Sequence, residues 1–209
     1  MAAAATGPAL AAPVPPPAVT GQVGIWACAS CHGRQGEGAL NVPRLAGLAP
    51  DYLRKQLDDF ATGKRRNESM ALIAQSLGSA EKRQLADYYA ALATPSTARP
   101  ALGGDLARGE RLVLRGDWSR NIPPCMACHG ASAFGVGGSF PALAAQHPEY
   151  TATQLAAWVS GDRDNAPEKL MNGIALALGN ADRRAVADYL ATLPPVPATA
   201  SKEVPDARP

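Results

Sequence analysis

The sequence predicts an all-α protein made of two tandem copies of one small domain. Three observations carry that prediction. One set of residues recurs in the same order through most of the chain, apolar residues in both copies are spaced for helices, and no convincing strand alternation is present.

The repeat is the strongest of the three. Cys28, Cys31 and His32 recur 97 positions later as Cys125, Cys128 and His129. Pro43, Leu45, Tyr52, Gln56, Leu57, Gly63, Arg65 and Asn67 recur 98 positions later as Pro141, Leu143, Tyr150, Gln154, Leu155, Gly161, Arg163 and Asn165. Met70, Leu77, Ala86, Asp87, Tyr88 and Leu92 recur at an offset of 101 as Met171, Leu178, Ala187, Asp188, Tyr189 and Leu193. An offset that grows in small steps is what loop insertions produce in a duplicated fold. The matches set a first domain at 21–93 and a second at 104–194. Residues 94–103, with Pro95, Pro100 and Gly103, read as the linker. The Ala/Pro-rich stretch 1–20 lacks the basic start and continuous apolar run of a secretory signal and is expected to be a disordered leader. The tail 195–209 is likewise expected to be disordered.

Within the first copy, Leu53, Leu57 and Phe60 sit at i, i+4 and i+7, and Gly63 follows as a helix stop. The second copy answers with Leu155 and Trp158 before Gly161. Each domain closes on a helix: Leu85, Tyr88, Tyr89 and Leu92 in one, Val186, Tyr189, Leu190 and Leu193 in the other. Ser79 and Asn180 are expected to cap them. A helix over 105–115 opens the second domain, whereas its counterpart before Trp26 reads as short and poorly defined.

Composition narrows the function. A formal charge of +2 argues against nucleic acid as a partner. No run of about 18 apolar residues is present, so no transmembrane helix is expected. Only 5% of the chain is aromatic, and domains under about 100 residues bury little core and often need a staple.

The motifs Cys28–Ala29–Ser30–Cys31–His32 and Cys125–Met126–Ala127–Cys128–His129 supply one. They have the spacing of c-type haem attachment. Two thiols three positions apart on a helical turn can each add to a haem vinyl group, and the adjacent His then faces the iron. Two alternatives explain less. A four-cysteine zinc site would have to join two separate repeats and leaves the histidines idle. A redox dithiol of thioredoxin type needs a βαβ setting that is missing. Two covalent haem c groups are therefore expected, with Cys28, Cys31, Cys125 and Cys128 as attachment residues and His32 and His129 as proximal iron ligands.

The sixth ligands follow by elimination. Of four methionines, Met1 lies in the leader and Met126 inside a motif, which leaves Met70 and Met171 in register across the repeat. His147 has Ala49 at its partner position and reads as a packing or hydrogen-bonding residue. The repeated Gly-x-Arg-x-Asn places Arg65 and Arg163 either beside haem propionates or in a solvated loop. Trp158, standing where Phe60 stands in the first copy, reads as pocket packing.

At these residues the chain resembles the cytochrome c4 family, di-haem proteins built from two class I cytochrome c domains. The second half carries the similarity most clearly: Ile122–Pro123–Pro124–Cys125, Phe140–Pro141–Ala142–Leu143, Gln146–His147 and Tyr150. The abbreviated first helix and the Gly/Ala-rich loop 131–138 depart from it. The resemblance implies a periplasmic location, His/Met ligation and domains packed with their haem propionates facing one another. It also favours a carbonyl role for Pro43 and Pro141, accepting the proximal His Nδ1–H, over plain turn shaping.

A His/Met-ligated iron has no open position for substrate, so the expected function is electron transfer, not catalysis. The first reading, which the resemblance implies, is a carrier in a respiratory chain, taking electrons from a quinol-oxidising complex and delivering them to a terminal oxidase at a membrane-complex surface. The alternative is the haem subunit of a periplasmic dehydrogenase. A di-haem peroxidase would need one iron without its Met.

Overall fold

The computed structural model describes residues 13–21 and 27–196. The first domain contains α1 (Pro17–Thr20), α2 (Ala29–His32), α3 (Pro50–Ala61), α4 (Glu68–Ser76) and α5 (Ser79–Ala90). The second contains α6 (Leu106–Arg115), α7 (Cys125–His129), α8 (Pro148–Ser160), α9 (Leu170–Ala177) and α10 (Asn180–Thr192). Among the described residues there is no extended strand, only isolated bridges.

Local chemistry accounts for the helix ends. α3 and α8 start on Pro50 and Pro148, whose missing N–H costs nothing in a first turn, and Asp51 and Glu149 oppose the helix dipole there. Both run out at glycines in the left-handed region, Gly63 at φ 78° and Gly161 at φ 81°. Asn67 caps α4, its Oδ1 accepting the Met70 N–H at 2.9 Å. The expected caps of the closing helices are displaced by one residue. Gly78 and Gly179, not Ser79 and Asn180, occupy the cap positions. The Glu81 and Asp182 carboxylates accept the Gly78 and Gly179 N–H groups at 2.8 and 3.3 Å, so satisfaction comes from the third helical residue rather than from a cap side chain.

In the second domain α6 crosses α10 at Gly109, where a Cβ would come within 2.1 Å of the Ala185 carbonyl oxygen. α1 packs against α2 and α5 much as α6 packs against α7 and α10. It is the short counterpart expected before Trp26, a single turn that falls within the stretch expected to be a disordered leader. Ala18 and Val19 are 4% and 2% exposed because they cover the core beside Cys28, whose N–H reaches the Ala18 carbonyl at 3.1 Å. The rest of the expected leader, residues 1–12, lies outside the described residues, as does the tail from 197. Of the expected disordered tail, Val196 packs onto the core of the first domain.

The linker is held along its length. Ser96 Oγ donates to the Ala145 carbonyl at 2.8 Å, and the buried Asp188 carboxylate accepts the N–H groups of Ala101, Leu102 and Gly104. Arg44 spans from it into the second domain. Its guanidinium donates to the Thr94 and Pro95 carbonyls, while its backbone N–H and C=O pair with the Gln146 amide at 2.9 and 3.0 Å.

Candidate functional site

In each domain the attachment motif forms a short helix whose last residue, His32 or His129, is turned inward and buried. A glycine follows each His, and the chain loops back to bring a proline carbonyl against the ring. His32 Nδ1 donates to the Pro43 oxygen at 3.0 Å, and His129 Nδ1 donates to the Pro141 oxygen at 2.7 Å. With Nδ1 committed as the donor, Nε2 carries the free lone pair, as a metal-binding imidazole needs. Burial, helped by the Arg65 charge, holds His32 below the usual imidazole range; burial and Arg163 do the same for His129. Both rings are therefore neutral at physiological pH. The loop between motif and proline is tight. Gly135 adopts φ 87°, and a Cβ there would lie 2.6 Å from the Ala142 nitrogen.

His129, Cys125 and Cys128 line one side of an apolar cavity that Met171, Ile174 and Trp158 complete. In the first domain Cys28, Leu45, Leu57 and Ile73 surround the corresponding core, with Met70 half-buried in the first turn of α4. Met171 arrives differently. A 3-10 turn, Pro167–Lys169, precedes α9, with Glu168 and Lys169 both in the left-handed region; this is where the repeat offset lengthens.

The cysteines are unpaired, and burial pushes the Cys28 thiol up and the Cys125 thiol to about 11. A redox dithiol needs a stabilised thiolate, so this setting does not suit one. Among the described residues no group of three or more His, Cys, Asp or Glu is arranged to hold a metal ion. Paired thiols beside a neutral inward imidazole, on the wall of an apolar cavity with a thioether opposite, fit a covalently anchored haem.

The arginines of the two Gly-x-Arg-x-Asn loops are buried, although Lys64, Arg66 and Asp162 beside them are exposed. Arg65 and Arg163 are each 6% exposed and pair with one another as an antiparallel bridge at the domain boundary. Arg65 donates to Gln56 of its own domain and to Tyr150 and Gln154 of the other, while Arg163 reaches Gln154 and, across the boundary, Tyr52 and Gln56. Each guanidinium stacks 4.5 Å from its own domain's ring, Phe60 or Trp158. Burial pushes the Tyr52 hydroxyl up, but the Arg163 and Arg65 charges outweigh it and hold it below the ordinary phenol value. His147 donates through Nε2 to the Glu37 carbonyl at 3.0 Å, joining the domains as a hydrogen-bonding residue. The sequence pointed at Tyr52, Gln56 and Gln154 only through their place in the repeat, and at Tyr150 through the repeat and the resemblance. Nothing in the sequence singled out Arg44, and the resemblance at Gln146 and the repeat at Asp188 said nothing of what either side chain holds.

The sequence profile of the cytochrome c family matches residues 19–91 and again 107–194. The chain belongs to the cytochrome c family. As a two-domain cytochrome c of the c4 type it carries two covalently bound haem c groups and transfers electrons; it is a carrier, not an enzyme. It is 46% identical over 172 residues to a thiosulfate dehydrogenase electron acceptor from Stutzerimonas stutzeri (strain A1501), covering 80% of this cytochrome and 79% of that protein. Reduced recombinant cytochrome c4 from Pseudomonas stutzeri superposes with a TM-score of 0.72 at 33% identity, over 79% of this chain and 93% of that one. A thiosulfate dehydrogenase from Marichromatium purpuratum reaches a TM-score of 0.79 at 40% identity, over 88% of this chain but 40% of that one. No helix among the described residues is long and apolar enough to cross a membrane.

Proposed function

We propose that this cytochrome is a periplasmic electron acceptor for a dehydrogenase, with thiosulfate oxidation as the reaction that feeds it. The observation that carries this reading is the 46% identity, over most of both chains, to a thiosulfate dehydrogenase electron acceptor. It favours the second of the two functions expected from the sequence. Delivery to a terminal oxidase remains compatible as the next step, since an acceptor must be reoxidised.

In this reading Cys28 and Cys31 anchor the first haem and Cys125 and Cys128 the second. His32 and Met70 ligate one iron, and His129 and Met171 the other. A bound haem would supply one-electron oxidation and reduction, with these histidines and methionines holding its iron. The chain does the rest. The Pro43 and Pro141 carbonyls orient each imidazole and raise its basicity. A thioether ligand and an apolar wall favour the less charged ferrous state, which raises the potential. Arg163, which lines the second cavity and reaches into the first domain, supports the placing of haem propionates at the boundary. Thioether formation from reduced cysteines outside the cytoplasm supports the periplasmic assignment.

The test is to mix oxidised cytochrome with a thiosulfate dehydrogenase and thiosulfate and follow the haem spectrum. Both haems should become reduced, at a rate set by the dehydrogenase concentration. A cytochrome that dithionite reduces but the dehydrogenase does not would end this reading.

A further inference from the structure

The second domain has a surface with no equivalent among the described residues of the first. On α6, Arg108, Arg111 and Arg115 fall at i, i+3 and i+7 and so form one stripe along the helix. Together with Arg120 they line a shallow groove closed by Leu112, Gly116 and Asp117. The acidic groups facing it are few. Asp182 on α10 accepts from both Arg108 and Arg120, and Asp117 takes a second bond from Arg120. The Asp105 side chain is engaged with the Arg108 N–H as the helix cap. The side chains of Arg111 and Arg115 have no ion pair or hydrogen bond among the described residues and are exposed. Exposed apolar side chains flank the stripe: Leu114 is 43% exposed, and Trp118 is 69% exposed on the short loop that follows.

That loop is tied to the second attachment motif. Asp117 and Ile122 exchange two backbone hydrogen bonds, at 2.7 and 3.0 Å, and Gly116 lies against Ile122–Pro124, immediately before Cys125. A protein seated on the groove would therefore sit one chain segment from the haem-bearing cysteine.

We infer that this flank of α6, with Trp118, is a docking surface for an acidic face of a redox partner protein. Its role as an electron entry point rests on the acceptor reading above. The occupant is a protein because the guanidiniums spread over two helical turns instead of converging on a point, as a small anion would require. Unpaired arginines beside an exposed Trp are also the residue types that carry binding energy at protein interfaces. The chain's own tail fits poorly, since Lys202 and Arg208 balance Glu203 and Asp206.

The test compares holoprotein with Arg111→Glu/Arg115→Glu and with Arg34→Glu/Arg83→Glu, an equal charge reversal on the first domain. Reduction by the thiosulfate dehydrogenase of Stutzerimonas stutzeri is followed against ionic strength, with dithionite reduction as a check on the haems. The α6 reversal should slow reduction about tenfold at low salt and flatten its salt dependence, while the first-domain reversal stays near the unmodified rate. Equal slowing of both variants, or none in the α6 variant, overturns the surface and leaves the acceptor reading intact. A second readout needs no dehydrogenase: poly-L-glutamate should protect backbone amides of 106–120 from hydrogen exchange in the unmodified protein but not in the α6 variant. If the dehydrogenase fails to reduce the unmodified protein while this protection is found, the acceptor reading falls and the surface stands. Protection elsewhere, or none, removes the surface.

Discussion

Arg163 donates to the Tyr52 hydroxyl across the domain boundary at 3.0 Å, and Arg65 makes the mirror contact to Tyr150 at 2.6 Å. Each domain thus completes the hydrogen bonding of the other's buried guanidinium. Two backbone bonds, Arg66 N–H to the Asp162 oxygen at 2.7 Å and Asp164 N–H to the Lys64 oxygen at 3.0 Å, fix the register.

Replacing Arg163 by Met should cost about 3 kcal/mol, because it strands buried acceptors on both domains. Removing a positive charge from the wall of the second cavity should also lower the potential of the haem held there. Arg163→Lys should keep most of the potential but not the stability, since an ammonium cannot reproduce the planar fork. Urea unfolding and a spectroscopic redox titration read the two effects separately.

Met171→Ala should open one iron position and lower that haem's potential, while the other haem stays near its original value. Met70→Ala should give the mirror result. The ferric absorption band of an iron–methionine bond should lose about half its intensity in either variant, given one such bond per haem. An intact band in Met171→Ala would show that the second haem is ligated differently.

Asn67→Ala removes the cap of the helix that carries Met70 and should cost about 1 kcal/mol. Asn165→Ala, at the matching repeat position, should act otherwise. Its amide donates to Gln56 and Asp59 across the boundary, so the loss should appear as looser domain association in small-angle scattering.

Asp182 gives the stability a pH dependence in acid. Burial pushes its carboxyl up, but the hydrogen bonds from Arg108 and Arg120 outweigh burial and hold it below the usual carboxylate range. A depressed folded pKa contributes fully above the unfolded value of about 3.9 and is lost as pH falls through the folded value. The urea midpoint should therefore drop below about pH 4, and Asp182→Asn should be less stable at pH 7 with a shallower acid drop.

His147→Ala should leave both potentials and the iron–methionine band unchanged and cost about 1 kcal/mol through the lost bond to Glu37. A change in ligation would show instead that His147 reaches an iron.

The duplication, the all-α class and the paired attachment motifs were legible in the sequence because each is local or periodic. Cys28, Cys31 and His32 mean the same thing wherever the domain sits, and a helix writes its own spacing. The interface was not legible, because it depends on which side chains meet across about 100 residues of chain. Asp87 and Asp188 are repeat partners, yet Asp87 is exposed and Asp188 is buried beneath the linker. The position of the short α1 was not legible because one helical turn carries too few residues to show a period, and packing against the core is what stabilises it. Arg65 and Arg163 belong to both levels. The repeat marked them as a pair, but only the tertiary structure decided that the pair is buried, since a guanidinium leaves water only where a second domain supplies its acceptors.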